Sequence, residues 1–155
     1  MKGVFEELSA YMKGDLSAFE FLSPDDLRNI SDFFQCNTFP SGEILWEEGD
    51  PCDYVAFIVS GRVQIKKKTK LKKNQLILGV YGKGAYIGAL CILDGSPRAV
   101  TAEVLDDACI VLITRDNFDK LIKKHPDLGT ALMKGMLMAV SKRLKNSFNR
   151  LVAIF

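Results

Sequence analysis

The feature that most constrains this chain is a change of hydrophobic period, made twice. Up to residue 37 the apolar side chains recur three and four apart. From Thr38 to Thr114 they alternate, or run together in short stretches cut by glycine and proline; from Arg115 the helical spacing returns. A period of 3.6 and a period of 2 cannot share one backbone conformation. The chain therefore predicts N-terminal helices over 1–37, a β unit over 38–114 and C-terminal helices over 115–155, within a single domain spanning 1–155. That length is enough for one domain with its own core and short for two.

Local signals sharpen this. VFEELSAYM and LSAFEFL carry apolar residues at helical spacing. In FLSPDDLRNISDFF, Ser23 reads as an N-cap, Pro24 as the first helical residue, and Asp25 and Asp26 favour the positive end of the helix dipole. Val63 and Ile65 alternate with Arg62 and Gln64; QLILGVYG and AVTAEV read as further strands, and ACIVLI, continuously apolar, as a buried one. Many short strands with Gly/Pro turns suggest an antiparallel roll or jelly-roll, hence an α+β, mainly β, fold. RDNFDKLIKKHPDL returns to helix, capped by Thr114 or Asp116 and ended by Pro126. The last segment is a long amphipathic helix with Leu137, Leu144 and Leu151 seven apart. Those leucines fit either a dimer seam or packing onto the β unit.

Composition excludes more than it selects. Hydrophobic residues make up 48%, charged residues 26%, and the net charge of +2 is too small to imply a nucleic-acid partner. No apolar run approaches a membrane span, and the first residues lack a signal-peptide core. Cys36, Cys52, Cys91 and Cys109 are scattered, without CxxC, and His125 is the sole imidazole. Zinc is not expected; structural thiols in a reducing cytoplasm are. The run Lys66 to Lys73 reads as a solvated hairpin tip, lacking the aromatics that would stack bases. No nucleophile–base pair or paired acids suggest an enzyme.

One stretch, GAYIGALCILDGSPRAVT over 84–101, has the parts of an anion site. Gly84 and Gly88 permit tight turns and close approach. Ala89 to Ile92 can form one helical turn whose first N–H groups face outward. Asp94-Gly95-Ser96-Pro97 reverses the chain, and Arg98, the lone charge between Asp94 and Glu103, returns with a fork of donors that stays charged. On spacing alone, Arg98 could equally pair with an acid such as Asp94.

From Phe21 to the C-terminus the chain resembles the cyclic nucleotide-binding domains of catabolite-activator-type regulators, kinase regulatory subunits and nucleotide-gated channels. FPSGEILWEEGDPCDYVAFIVSGRVQI looks like the family's first β half, and GAYIGALCILDGSPRAVT like its phosphate-binding cassette. The resemblance implies a β-roll flanked by helices. It also implies a cyclic phosphate gripped by Arg98, with N–H groups near Gly88, Ala89, Leu90, Cys91 and Ala99, and a final helix that acts as lid and often as dimer interface. The family's usual Gly-Glu pair, whose glutamate accepts the ribose 2′-hydroxyl, is here Gly88-Ala89. Losing a hydrogen bond to a charged group costs about 1.5–3 kcal/mol. A threonine after the cassette arginine tends to favour cGMP in the family; Ala99 leans toward cAMP.

What this implies is a cytoplasmic, non-catalytic sensor for a cyclic nucleotide, without cofactor or metal. Its output would pass through the final helix to a protein effector, or to a second copy over Met133–Phe155. The chain stops where transcription regulators of this type begin their DNA-reading domain. Two alternatives are a degenerate docking module and a pocket for another anion such as a dinucleotide or an aromatic acid.

Overall fold

A computed structural model describes residues 3–11, 17–71 and 74–155. The helix α1 (Val4–Tyr11) is followed by α2 (Pro24–Ile30) and a 3-10 turn at Ser31–Phe33. The strands are β1 (Gln35–Phe39), β2 (Ile44–Trp46), β3 (Tyr54–Lys68), β4 (Gln75–Tyr81), β5 (Tyr86–Ile87) and β6 (Thr101–Thr114). The helix α3 (Ala89–Asp94) interrupts them, and α4 (Arg115–Lys124) and α5 (Pro126–Ile154) close the chain. All pairings are antiparallel, in the order β1-β6-β3-β4, with β2 added to β6 and β5 to β3.

The start of α2 follows its sequence signals: Ser23 Oγ accepts from the Asp26 N–H, and the Asp26 carboxylate accepts from the Ser23 N–H. Thr114, rather than Asp116, caps α4 by accepting from the Asn117 N–H. The expected helix over LSAFEFL is instead a turn at 18–21, Leu16 lying outside the described residues. Ser17 Oγ takes the Phe19 N–H, and Leu22 N–H bonds the Phe19 carbonyl three residues back, so the segment closes as a turn in place of a four-back helix ladder. The β unit begins at Gln35, three residues before the sequence period changes.

AVTAEV, from its Thr101 on, and ACIVLI form not two strands but one, β6, which runs beside the similarly long β3 from Tyr54↔Thr114 to Lys66↔Thr101. The register slips around Ser60–Val63, where Gly61 has φ 84°. A Cβ there would lie 2.4 Å from the Asp107 carbonyl oxygen, so only glycine lets the strands bend so closely.

Two cores use the two faces of β3. Val55, Phe57 and Val59 face the helices, with Leu8, Tyr11, Phe19, Leu27 and Leu132. Ala56, Ile58, Val63 and Ile65 face the interior of the roll, with Trp46, Val104 and Ile110. The apolar run in YVAFIV follows from burial on both faces.

The lysine run is less solvated than expected. Lys66 pairs with Glu103; Lys67 Nζ donates to the Ala99 carbonyl at 2.7 Å and lies 3.8 Å from Glu48. These residues and Lys68 belong to β3; only the turn beyond them is a tip, and Lys72 and Lys73 lie outside the described residues. No described helix is long and apolar enough to cross a membrane.

Candidate functional site

Residues 84–101 fold back over the open side of the roll. Gly84 (φ 89°) turns the chain from β4 into β5, and its carbonyl accepts from the buried Tyr11 hydroxyl at 2.8 Å. Burial holds that phenol well above its ordinary range. Gly88 (φ 87°) caps α3 at its start, and Gly95 (φ 74°) ends it with its N–H on the Cys91 carbonyl. Asp94 then accepts from the Ser96 N–H at 2.9 Å and hydroxyl at 2.6 Å, which draws its carboxyl below the usual range. Asp94 thus closes the turn and does not pair with Arg98.

The polypeptide enters Arg98 under firm backbone control. Arg98 N–H donates to the Asp50 carbonyl at 2.8 Å, and its carbonyl accepts from the Gly49 N–H at 2.8 Å. Its side chain is 1% exposed. The guanidinium stacks 3.7 Å from the Trp46 ring centroid and 4.9 Å from that of Tyr54, and Nη2 donates to the Tyr54 carbonyl at 2.8 Å. The exposed Asp53 carboxylate reaches Nη2 at 3.4 Å. Burial lowers the guanidinium pKa and the neighbouring Tyr54 and Asp53 oppose that; a guanidinium stays protonated regardless. A Cβ on Gly88 would lie 2.3 Å from Nη1, so the arginine can occupy this place only because residue 88 is glycine. Among the described residues, Arg98 Nε and Trp46 Nε1 are buried donors without a partner.

Gly88, Ala89, Leu90, Cys91, Arg98 and Ala99, the six expected site residues, line one cavity of about 380 Å³. Its other walls come from the rest of the 84–101 stretch, from the final helix expected as a lid, and from strand residues the sequence had not singled out. Trp46 and Ile65 lie on the roll side, Tyr81 and Tyr86 on β4 and β5, and Val140 and Arg143 on α5. Tyr86 donates its hydroxyl to the Met136 carbonyl at 2.5 Å, and Arg143 lies 4.5 Å over the Tyr81 ring, so α5 is held against the cavity from two sides. An apolar cavity of about 240 Å³ adjoins it between α3, α4 and α5, sharing Tyr86, Ala89 and Val140. Among the described residues lining the larger cavity there is no carboxylate; position 89 is the place where one was missed. Trp46, Asp53 and Tyr54 lie in FPSGEILWEEGDPCDYVAFIVSGRVQI, the stretch that resembles the family's first β half, where no separate role was read for them.

The cysteines correct the sequence reading. Cys52 and Cys91 are 39 residues apart in sequence yet 5.8 Å apart at Cα, and they form a disulfide. Scatter along the chain hid the neighbours because the β half and the cassette meet only in the fold. The bond joins the segment that holds Arg98 to the helix that opens at Gly88. Cys91 Sγ lies 3.2 Å from the Gly88 carbonyl oxygen and 3.6 Å from Arg98 Nη1. Cys36 and Cys109 stay free thiols 3.5 Å apart. Burial pushes the Cys109 thiol up to about 12, with Cys36 and Glu7 adding to the effect.

Residues 36–125 match the sequence profile of the cyclic nucleotide-binding domain. The chain is 26% identical over 133 residues to the CRP-like cAMP-activated global transcriptional regulator of Mycobacterium tuberculosis, covering 86% of this chain and 57% of that protein. It is 29% identical over 101 residues to the cAMP-dependent protein kinase regulatory subunit of Emericella nidulans, covering 65% of this chain and 24% of that one. The chain thus spans about half, or less, of the curated relatives it matches. The crystal structure of a cyclic nucleotide-binding domain from Methylobacillus flagellatus KT superposes with a TM-score of 0.80 at 28% identity, covering 97% of this chain and 84% of that one. The regulatory domain of Toxoplasma gondii protein kinase A, co-crystallised with cAMP, shares the fold at a TM-score of 0.66 and 16% identity, covering 84% and 47%.

Proposed function

This chain belongs to the cyclic nucleotide-binding domain family, and we propose that it is a regulatory module that takes a cyclic nucleotide, cAMP before cGMP, and signals through α5. One observation carries the reading. A buried arginine, laid so close to Gly88 that a Cβ there would overlap its guanidinium, shares a 380 Å³ cavity with the first turn of α3 and with α5. The volume suits a small organic ligand. Arg98, with backbone N–H groups at Gly88 to Cys91 and Ala99, would take the phosphate. Arg98 Nε and Trp46 Nε1 leave two buried donors that an incoming acceptor relieves, each costing about 1–3 kcal/mol while unpaired. Ala99 in place of threonine supports cAMP over cGMP, and Ala89 implies a weakened hold on the ribose.

Signalling follows from the shared wall. Val140 and Arg143 belong to α5 and line the ligand cavity. A ligand that contacts them shifts α5 by its differential affinity for two positions of that helix. The segment Met133–Phe155, most of α5 with the chain's last residue, would carry the message to a protein effector or a second copy. The exposed Leu137, Leu144 and Leu151 favour the dimer, and with Ala89 they favour a second reading, a docking unit that binds no nucleotide.

A thermal-shift titration with cAMP, cGMP and a cyclic dinucleotide, beside Arg98→Ala, decides between them. A ligand at a hundred times its Kd stabilises by about 2.7 kcal/mol, a shift of roughly 5–10 °C for a chain of this size. Arg98→Ala is expected to weaken binding about tenfold to a hundredfold. No shift with any nucleotide supports the docking unit.

A further inference from the structure

We propose that the Cys52–Cys91 disulfide is a reversible thiol-exchange site that sets whether Arg98 is free to take an anionic ligand. The proposal rests on the reading of Arg98 as the phosphate grip, and it assigns that grip a redox input.

Each end of the bond is part of the cradle. Cys52 precedes Asp53 and Tyr54, the two residues whose oxygens hold Arg98 Nη2. Cys91 lies in the first turn of α3, lines the cavity, and places its sulfur 3.6 Å from Arg98 Nη1. The bond therefore staples the segment that positions the arginine to the helix whose N–H groups face the same cavity. The two sulfurs are unlike in access: Cys91 is buried, while Cys52 is half-buried beside the exposed Asp53.

This asymmetry gives the exchange a direction. A thiolate of a small dithiol attacks Cys52 Sγ, the S–S electron pair leaves on Cys91 Sγ, and a mixed disulfide forms at Cys52. The second thiol of the reagent then attacks its own sulfur in that mixed disulfide and releases Cys52. Two electrons and one proton pass to the protein, the proton on Cys52; the reagent's second proton goes to solvent, Cys91 stays a thiolate, and the reagent ends as a cyclic disulfide. Cys91 is the better leaving group, because a guanidinium beside a sulfur stabilises its thiolate. In the disulfide that sulfur is uncharged and leaves Arg98 its full charge for a ligand. Once released as a thiolate it becomes an internal anion 3.6 Å from Nη1, competing with phosphate for the same donors. Asp53 already faces the other end of the guanidinium, so little positive charge would remain unopposed. The oxidised form is the binding form. By linkage, a bound ligand protects the disulfide from reduction by the same factor.

The chain contains its own controls. Cys36 and Cys109 are the two thiols free in both states, and Trp46, the only tryptophan, is stacked on Arg98. The experiment compares full-length oxidised and dithiol-reduced protein. Thiol titration after denaturation is expected to find two thiols rising to four, from the four cysteines and one bond. Trp46 emission should change in step, and cAMP affinity should fall on the order of tenfold on reduction. Cys52→Ser, which frees Cys91 permanently, should behave as the reduced form. Cys91→Ser, which removes both bond and thiolate, should bind between the two and ignore the reductant.

Equal cAMP affinity in both redox states overturns the proposal, as does a thiol count of four in protein prepared under air. If cAMP binds neither form, the cyclic-nucleotide reading falls instead. The redox site is then judged on Trp46 emission: a change that tracks thiol release supports it, and an unchanged spectrum overturns it. Cys52→Ser failing to fold would leave the wild-type comparison intact, since it needs no substitution.

Discussion

The two halves of α5 are built for different surroundings. From Pro126 to Ala139 the helix buries Gly129, Leu132, Gly135, Met136 and Ala139 on one face against the roll and the N-terminal helices. From Val140 to Ile154 no residue is buried, yet Leu144, Phe148, Leu151, Val152 and Ile154 are all more than half exposed. That half extends roughly 22 Å at 1.5 Å per residue. Its apolar stripe at 144, 148 and 151 is as regular as the buried one. Hydrophobic periodicity shows that a helix has a face; it does not show what the face meets. In the first half small residues bring the backbone close to its neighbour, and in the second large ones reach outward without one. Arg143 and Val140, at the junction, are also the α5 residues that line the 380 Å³ cavity.

Truncating the buried half should produce the largest effect. Leu132 is fully buried within the helix-side core. Leu132→Ala removes its apolar contacts and leaves a cavity, an expected loss of about 2–5 kcal/mol in denaturant unfolding. Were that half merely resting on the roll, the loss would be under about 1 kcal/mol.

Gly135 tests closeness rather than volume. A Cβ there would fall 1.8 Å from the Ala18 carbonyl oxygen, a backbone atom that cannot rotate away. In an isolated helix Gly→Ala gains about 1 kcal/mol. Here the helix must move off the 18–21 turn, so Gly135→Ala should cost about 1–3 kcal/mol net. Because Met136 next to it accepts the Tyr86 hydroxyl, the same change should disturb the cavity wall and lower the shift produced by a bound nucleotide. A stabilised protein would show that α5 does not approach the turn this closely.

The same contrast explains what could be read from the chain alone. The period changes placed the helices and the roll, and the cap at Ser23 came through to the residue because capping is local chemistry. The cassette was legible as a run of glycines, a turn and one arginine, all within 84–101. Most of what failed to show was a contact between distant segments. Trp46 and Tyr54 stack on an arginine some fifty and forty-four residues away. Cys52 bonds Cys91 across 39 positions, and Arg143 reaches Tyr81 from the last helix. LSAFEFL misled because its helical spacing is real, yet Leu22 bonds the Phe19 carbonyl three residues back and closes a turn. The leucines of α5 stayed ambiguous for the reason already given: spacing is silent about partners.

The smallest effect on stability belongs to the exposed half, and it carries the most information about function. Leu144→Gln with Leu151→Gln keeps helix propensity nearly constant and removes two large apolar groups from the stripe. Neither side chain packs on the roll, each being 55% exposed. Unfolding of the monomer should therefore change by less than about 0.5 kcal/mol. Sedimentation should respond instead: a dimer seamed along this stripe would dissociate at concentrations where the parent remains associated. If the double variant unfolds as readily as Leu132→Ala, the stripe is covered by the chain's own residues and the two halves are not different after all. If stability holds and the assembly changes, the second half of α5 is an interface attached to a ligand cavity by one turn of helix. A nucleotide bound against Val140 and Arg143 would then act on that interface directly.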